Sequence, residues 1–176
     1  MHNTAMSLRS DTEHKSFSHP VSIADAMGRP LHDLRISLLD QCNLRCPYCM
    51  PEAEFHADYE FLKRQQRLTY DEILRVAAGA SSLGVSKIRL TGGEPLLDKK
   101  ICDLVERIVM LPGVDDLALT TNGMLLSLFA EKLAAAGLHR VTVSLDSIDK
   151  DIFRKMSGGR GDLGKVLAGI KAAEEA

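Results

Sequence analysis

Four short runs of aliphatic and β-branched residues, each followed by a helical stretch, decide what this chain can build. The strand-like runs are Leu34 to Leu39, Lys87 to Leu90, Leu117 to Thr120 and Val141 to Leu145. Helical patterns lie near Tyr70 to Leu83, Lys99 to Met110 and Leu125 to Ala136, and around Asp149 to Met156 and Leu163 to Glu174. Thr69 is placed to cap the first helix. Pro112-Gly113 ends the second, and Gly137 closes the third. This β/α alternation predicts an α/β fold with parallel strands and right-handed crossovers.

The strands carry a second signal in their alternation. Successive side chains point to opposite faces, so Arg35 and Ser37 share one face with Lys87, Arg89 and Thr91, with Ala118 and Thr120, and with Thr142, Ser144 and Asp146. The other face is apolar: Ile36, Leu38, Ile88, Leu90, Leu117, Leu119, Val141, Val143 and Leu145 would pack under the helices. A parallel sheet covered on both sides reads as continuously hydrophobic. The polar set therefore predicts an inner surface that is wet or filled by ligand. Arg35, Lys87 and Arg89 would need an anion there, because an unpaired buried charge costs several kcal/mol and arginine does not give up its proton. The plainer alternative puts Lys87 and Arg89 on a solvated rim.

Four motifs fall at the carboxyl ends of the predicted strands. They are Asp40 to Cys49, Thr91-Gly92-Gly93-Glu94-Pro95, Thr120-Thr121-Asn122-Gly123, and Ser144-Leu145-Asp146. Parallel (β/α) barrels of the TIM type assemble their active sites on that face. The first motif, Cys42-Asn43-Leu44-Arg45-Cys46-Pro47-Tyr48-Cys49, holds three of the four cysteines. A cubane iron-sulfur cluster has four irons and usually takes a cysteine on each, so a loop supplying three leaves one iron free for another ligand. The alternative is a three-cysteine, one-histidine zinc site that includes His56. Cys102 reads as a small helical core residue. In the second motif, residues without Cβ at 92 and 93 let a ligand approach the backbone, and the Glu94 carboxylate can receive an ammonium group. Alone, the same residues make an ordinary tight turn. Asn122-Gly123 fits a β-to-α loop better than a hairpin, and Ser144 and Asp146 could also be strand-end capping groups.

Bulk properties exclude several classes. With 176 residues, 45% of them hydrophobic, the chain has the length of one domain and enough apolar mass for a core. A net charge of −2 argues against a polybasic nucleic-acid or membrane surface. No apolar run approaches a membrane span, and no charged-then-apolar signal pattern opens the sequence. Clustered cysteines do not form a disulfide framework and need reducing surroundings, so the expected compartment is the cytoplasm. Residues 1–24 are polar and aperiodic and are expected to be a disordered tail, with 25–176 as the folded core.

The Cys-x-x-x-Cys-x-x-Cys spacing, with Tyr48 before the last cysteine, resembles the signature of the radical S-adenosylmethionine (SAM) superfamily. Several stretches together resemble one branch, the GTP 3′,8-cyclases of molybdenum cofactor biosynthesis. They are residues 25–30, 33–37, 42–51, 87–95, 119–123 and 143–147. The resemblance implies a 4Fe-4S cluster on Cys42, Cys46 and Cys49, and SAM touched by Tyr48, Gly93, Glu94 and Ser144. It also implies GTP contacted by Arg35, Lys87, Arg89 and Thr120. The implied reaction is reductive cleavage of SAM to a 5′-deoxyadenosyl radical, hydrogen abstraction from the ribose of GTP and closure onto the guanine. An electron donor and the next enzyme of the pterin pathway are the implied partners. The chain departs from that branch in Leu39-Asp40-Gln41, in Asp98, and in lacking a second cysteine triad and a Gly-Gly tail. The expectation is therefore a partial barrel of about four β/α units, without its C-terminal part and with little cyclase activity of its own. A different radical SAM reaction on RNA or a peptide, or an inactive metal-binding fragment, are the competing readings.

Overall fold

The computed structural model describes residues 23–176. The expected tail, residues 1–24, lies almost wholly outside them. Of its last residues, Ala24 bridges Pro30 and the Leu31 amide donates to the Ile23 carbonyl at 2.8 Å.

Four parallel strands form one open sheet in sequence order: β1 (Asp33–Ser37), β2 (Lys87–Thr91), β3 (Asp116–Thr121) and β4 (Arg140–Val143). The helices are α1 (Tyr70–Ser82), α2 (Ile101–Val109), α3 (Leu126–Ala135), α4 (Lys150–Met156) and α5 (Leu163–Glu175). Each expected element is present. The ends differ by a residue or two, as helix and strand termini generally do. The first strand stops at Ser37, although the Leu38 amide still donates to the Thr91 carbonyl at 2.9 Å. The fourth starts at Arg140 and ends at Val143, which leaves Ser144 and Asp146 in the following loop.

Local chemistry sets the boundaries. Thr69 caps α1 through a capping box, its hydroxyl accepting from the Glu72 amide while the Glu72 side chain accepts from the Thr69 amide. After α3 the chain reverses at Gly137, whose φ of 88° suits a residue without Cβ just past the helix end. Asp149 caps α4, accepting from the amides of Asp151 and Ile152 at 3.0 Å each.

The sheet is two-faced in the way the alternation predicts. In register, Ile36, Leu90 and Leu119 lie side by side, as do Leu34, Ile88 and Leu117. These pack with Ile73 and Ala77 of α1, Leu104 and Ile108 of α2, and Leu126 and Leu133 of α3. Cys102 sits half-buried against this core. A second, smaller cluster of Phe153, Leu163 and Val166 seats α4 and α5 beside Val143 and Leu145. Among the described residues, the opposite face of the sheet is not packed by the helices and bears the polar residues, so the open sheet exposes what would be a barrel interior.

Candidate functional site at the carboxyl ends of the strands

The cysteine loop follows β1 and is organised around Arg45, which is 9% exposed. Its Nε donates to the Phe55 carbonyl at 3.0 Å, and its Nη1 donates to the carbonyls of Cys42 at 2.8 Å and Leu44 at 2.9 Å. The guanidinium lies 5.6 Å from the centre of the Phe61 ring, which packs with Phe55 and Tyr59. Amides of Cys49 and Met50 both donate to the Cys46 carbonyl, at 3.0 and 2.8 Å, and wind the end of the loop into a turn. Gly158 backs this arrangement at φ 67°, where a Cβ would run into the Arg45 carbonyl.

The loop after β2 is pressed directly against the cysteine loop. The Gly93 amide donates to the Leu39 carbonyl at 2.7 Å and the Glu94 amide to the Gln41 carbonyl at 2.8 Å. A Cβ at 92 would stand 2.5 Å from the Leu39 carbonyl oxygen, and one at 93 would overlap the Gln41 carbonyl. The glycines are thus needed for contact between two loops of the chain itself. Glu94 is 0% exposed. Its Oε1 accepts from the Leu96 amide at 3.0 Å and the Thr121 hydroxyl at 2.7 Å, and its Oε2 accepts from the Asn122 amide at 2.8 Å. Burial raises its pKa, and these hydrogen bonds oppose the rise. Its carboxylate is a staple between β2 and β3, committed to three donors of the protein.

Two long-range contacts complete the site. Asn122 donates from Nδ2 to Asn43 Oδ1 at 2.7 Å and to Cys42 Sγ at 3.8 Å, joining the loop after β3 to the cysteines. Tyr48 donates its hydroxyl to Asp146 Oδ2 at 2.9 Å, joining the cysteine loop to the segment after β4. The Tyr48 side chain is otherwise open, 61% exposed, and burial of its hydroxyl together with the hydrogen bond to Asp146 raises its pKa. Ser144 is exposed nearby, its amide donating to the Thr121 carbonyl at 2.8 Å. All four motifs meet at one end of the sheet.

The cations occupy the inner face. Arg35 and Arg89 are register partners on adjacent strands, which places like charges side by side about 4.8 Å apart at the backbone. Arg35 Nη2 donates to Thr91 Oγ1 at 3.3 Å, and Arg89 Nη1 donates to the hydroxyls of Thr120 and Thr142 at 3.2 Å each. Hydroxyls orient these guanidinium groups without neutralising them. Lys87 is exposed at the start of β2, at the opposite end of the sheet from the cysteines. A cavity of about 180 Å³ joins Arg35, Lys87 and Arg89 with Asp33 and Arg140. Arg140 is already paired with Asp116 through contacts of 2.6 and 3.3 Å. A larger cavity of about 530 Å³ lies elsewhere, at the starts of α1 and α2 among Arg67, Tyr70, Asp98 and Lys100. None of the four motif loops' cysteines or glycines reaches it. Asp98, one of the departures noted above, accepts there from the Tyr70 hydroxyl at 2.8 Å and the Lys100 amide at 3.1 Å.

The donor chemistry of the cysteine loop fits an iron-sulfur cluster. Three soft sulfurs share one loop, Cys42 and Cys46 half-buried and Cys49 exposed. Burial pushes the Cys42 and Cys46 thiols up, and each is raised further by the neighbouring cysteines. Ligation is what would deprotonate such thiols. Among the described residues, no three His, Cys, Asp or Glu side chains converge on a point as ligands of a single ion. His56, in the same loop, is exposed. A four-iron cluster takes each cysteine on a separate iron, so three cysteines leave one iron for another ligand.

Sequence reasoning overlooked Arg45, the Asn122 side chain, the partner of Tyr48 and the Asp116–Arg140 pair. An arginine between two cysteines was a legible signal. The others depend on contacts between residues 24 to 98 positions apart and had none.

Comparisons with known proteins place these features. The Radical SAM superfamily profile matches residues 36–176. The chain is 51% identical over 152 residues to the GTP 3′,8-cyclase of Xanthomonas campestris pv. campestris, covering 86% of this chain and 44% of that protein. It is 53% identical over 154 residues to the GTP 3′,8-cyclase of Acidothermus cellulolyticus, covering 88% and 42%. It is 47% identical over 151 residues to that of Staphylococcus epidermidis. The chain therefore spans less than half the length of these relatives. In fold it is similar to the crystal structure of methylornithine synthase, with a TM-score of 0.60 and 17% identity over 81% of this chain and 41% of that one.

Proposed function

Because the chain is a member of the radical SAM superfamily, we propose that Cys42, Cys46 and Cys49 hold a 4Fe-4S cluster whose open iron takes SAM. We propose further that the chain serves the GTP 3′,8-cyclase reaction of molybdenum cofactor biosynthesis. When bound, the cluster would supply the electron that cleaves SAM into a hydrogen-abstracting radical. The residues of this chain bind and orient. Tyr48 offers an open ring to the adenine, with its hydroxyl fixed by Asp146. Gly93 admits the amino acid end of SAM to the backbone, Glu94 holds that loop in place through its three hydrogen bonds, and Ser144 lies within the same mouth. The observation that carries the reading is the convergence of all four loops at the carboxyl ends of the strands, with Arg35, Lys87 and Arg89 on the open face behind them.

GTP fits that face chemically. Arg35, Lys87, Arg89 and Thr120 offer charge-assisted hydrogen bonds suited to phosphate oxygens, and the cations lie at and before the middle of five-residue strands. From Lys87 to the carboxyl end of β2 is about 13 Å along the sheet, and from Arg35 or Arg89 to the end of its strand about 7 Å. A nucleoside triphosphate is long enough. An electron donor is required, and the thiolates call for a reducing compartment. No helix of the described residues is long and apolar enough to cross a membrane.

The test is direct binding. Titrating GTP into the anaerobic, cluster-loaded chain should show saturable binding that weakens about 10- to 100-fold in Arg89→Ala, the equivalent of one charge-assisted contact. GTP should also protect Arg35, Lys87 and Arg89 from chemical modification. Equal affinity of the variant, or protection by RNA or peptide in place of GTP, would overturn the substrate assignment and leave the family membership intact.

A further inference from the structure

We infer that Asn122 is a positioning residue for Cys42, and that its side-chain amide, donating to the Cys42 sulfur, sets the reduction potential of the cluster. The inference rests on the reading above, in which Cys42 is a cluster ligand. Its geometric basis is the orientation of the amide. The Met124 backbone amide, which can only donate, lies 3.0 Å from Asn122 Oδ1. The oxygen therefore faces Met124, and Nδ2 must face the cysteine loop. There its two protons have two acceptors, Asn43 Oδ1 at 2.7 Å and Cys42 Sγ at 3.8 Å. The sulfur also accepts from the Leu44 backbone amide at 3.4 Å.

The backbone of Asn122 is independently fixed. Its own amide donates to Glu94 Oε2 at 2.8 Å, and Glu94 has no exposed surface. A rigid buried staple thus aims one N–H bond at one sulfur, across 80 residues of sequence. Hydrogen bonds to ligating sulfurs stabilise the more negative, reduced state of an iron-sulfur cluster and are among the determinants of its potential. The asymmetry matters. Of the three cysteines, Cys42 alone has this side-chain donor from a neighbouring β/α unit among the described hydrogen bonds.

The experiment is an anaerobic redox titration of the loaded full chain, followed by the paramagnetic resonance of the reduced cluster. Asn122→Asp keeps the acceptor facing Met124 and replaces the donor by a second acceptor. Asn122→Ala removes the donor with no charge. At the wild-type midpoint, the reduced-to-oxidised ratio should fall at least about threefold in both variants, a shift of about 30 mV for a one-electron couple. The Asp variant should fall further. Asn43→Ala, which leaves the Asn122 donor in place, should shift the ratio less than either. Iron and sulfide content should stay at the wild-type level in Asn122→Ala. Loaded variants with an unchanged midpoint would overturn this inference alone, as would loss of the cluster from Asn122→Ala. A wild-type chain that takes up no cluster would overturn the cluster reading and this inference with it.

Discussion

Removing the Glu94 carboxylate should be among the most damaging single changes to this fold, and the size of the effect follows from its partners. In Glu94→Ala the backbone amides of Leu96 and Asn122 lose their acceptor inside the protein. Each unpaired buried donor costs about 1–3 kcal/mol. The Thr121 hydroxyl can rotate toward another acceptor, so it adds less. The space left by the truncated chain at a 0% exposed position adds about 1 kcal/mol. A loss of about 4 kcal/mol is expected, which lowers the melting temperature by about 8–16 °C in a chain of this size. Glu94→Gln keeps the oxygen that serves Leu96 and Thr121 but turns an NH2 toward the Asn122 amide. It should cost about 1–3 kcal/mol.

The pH dependence supplies a second check on the same residue. Burial is the largest cause of the Glu94 shift and raises its pKa above the ordinary value of 4.5. The folded chain then holds this proton more tightly than the unfolded one. Its contribution is fully present below about 4.5 and is lost as the pH rises through the raised folded value. The deficit of Glu94→Gln relative to wild type should therefore narrow as the pH increases. Urea unfolding followed by circular dichroism, at several pH values with matched slopes, measures it. An Ala variant within 0.5 kcal/mol of wild type would refute the staple argument, and a Gln deficit that widens with pH would show that the three hydrogen bonds outweigh burial in setting the Glu94 pKa.

Gly93→Ala should force the Gln41 carbonyl away and lower the iron retained by the cysteine loop, because the added Cβ overlaps that carbonyl. Gly79→Ala meets nothing within 4 Å in α1 and should instead stabilise the chain by about 0.5–1 kcal/mol in the same unfolding assay. Arg45→Met removes the donors to three carbonyls, so the cysteine loop should become faster to cleave by limited proteolysis while helical content is kept. Unchanged cleavage would contradict its organising role. Thr69→Ala should cost about 1 kcal/mol. The backbone amide and hydroxyl of Thr69 hold the Glu72 carboxyl below its ordinary 4.5, so the cap's contribution is present above that value and fades as the pH falls through the folded one. Helix content followed by circular dichroism during acid titration would reveal it.

Much of this architecture was legible because it rests on periodicity. Alternation placed Ile88, Leu90, Leu117 and Leu119 on the helical side and Arg89 and Thr120 on the open side, as the register has them. Thr69 with Glu72 is a local signal that needs only four residues. The role of Glu94 was not legible. Its carboxylate reads as a ligand group in sequence, and only the approach of Thr121 and Asn122 from β3 reveals three internal donors. The glycines beside it read in sequence as room for a ligand at the backbone, and the structure brings the chain's own backbone there, at Leu39 and Gln41. The fourth strand starts a residue earlier than its aliphatic run, at Arg140, which pairs with Asp116 of β3. Contacts such as Tyr48 to Asp146 join residues whose separation carries no period at all.

In the proposed site, Cys42, Cys46 and Cys49 support a cluster with one iron open to SAM. Paramagnetic resonance of the reduced, anaerobically reconstituted chain, with and without SAM, tests it most directly. About four irons per chain are expected, lost on replacing any one of the three cysteines, with a spectrum that changes when SAM is added. A chain that takes up zinc in place of iron, or a four-iron spectrum indifferent to SAM, would contradict it.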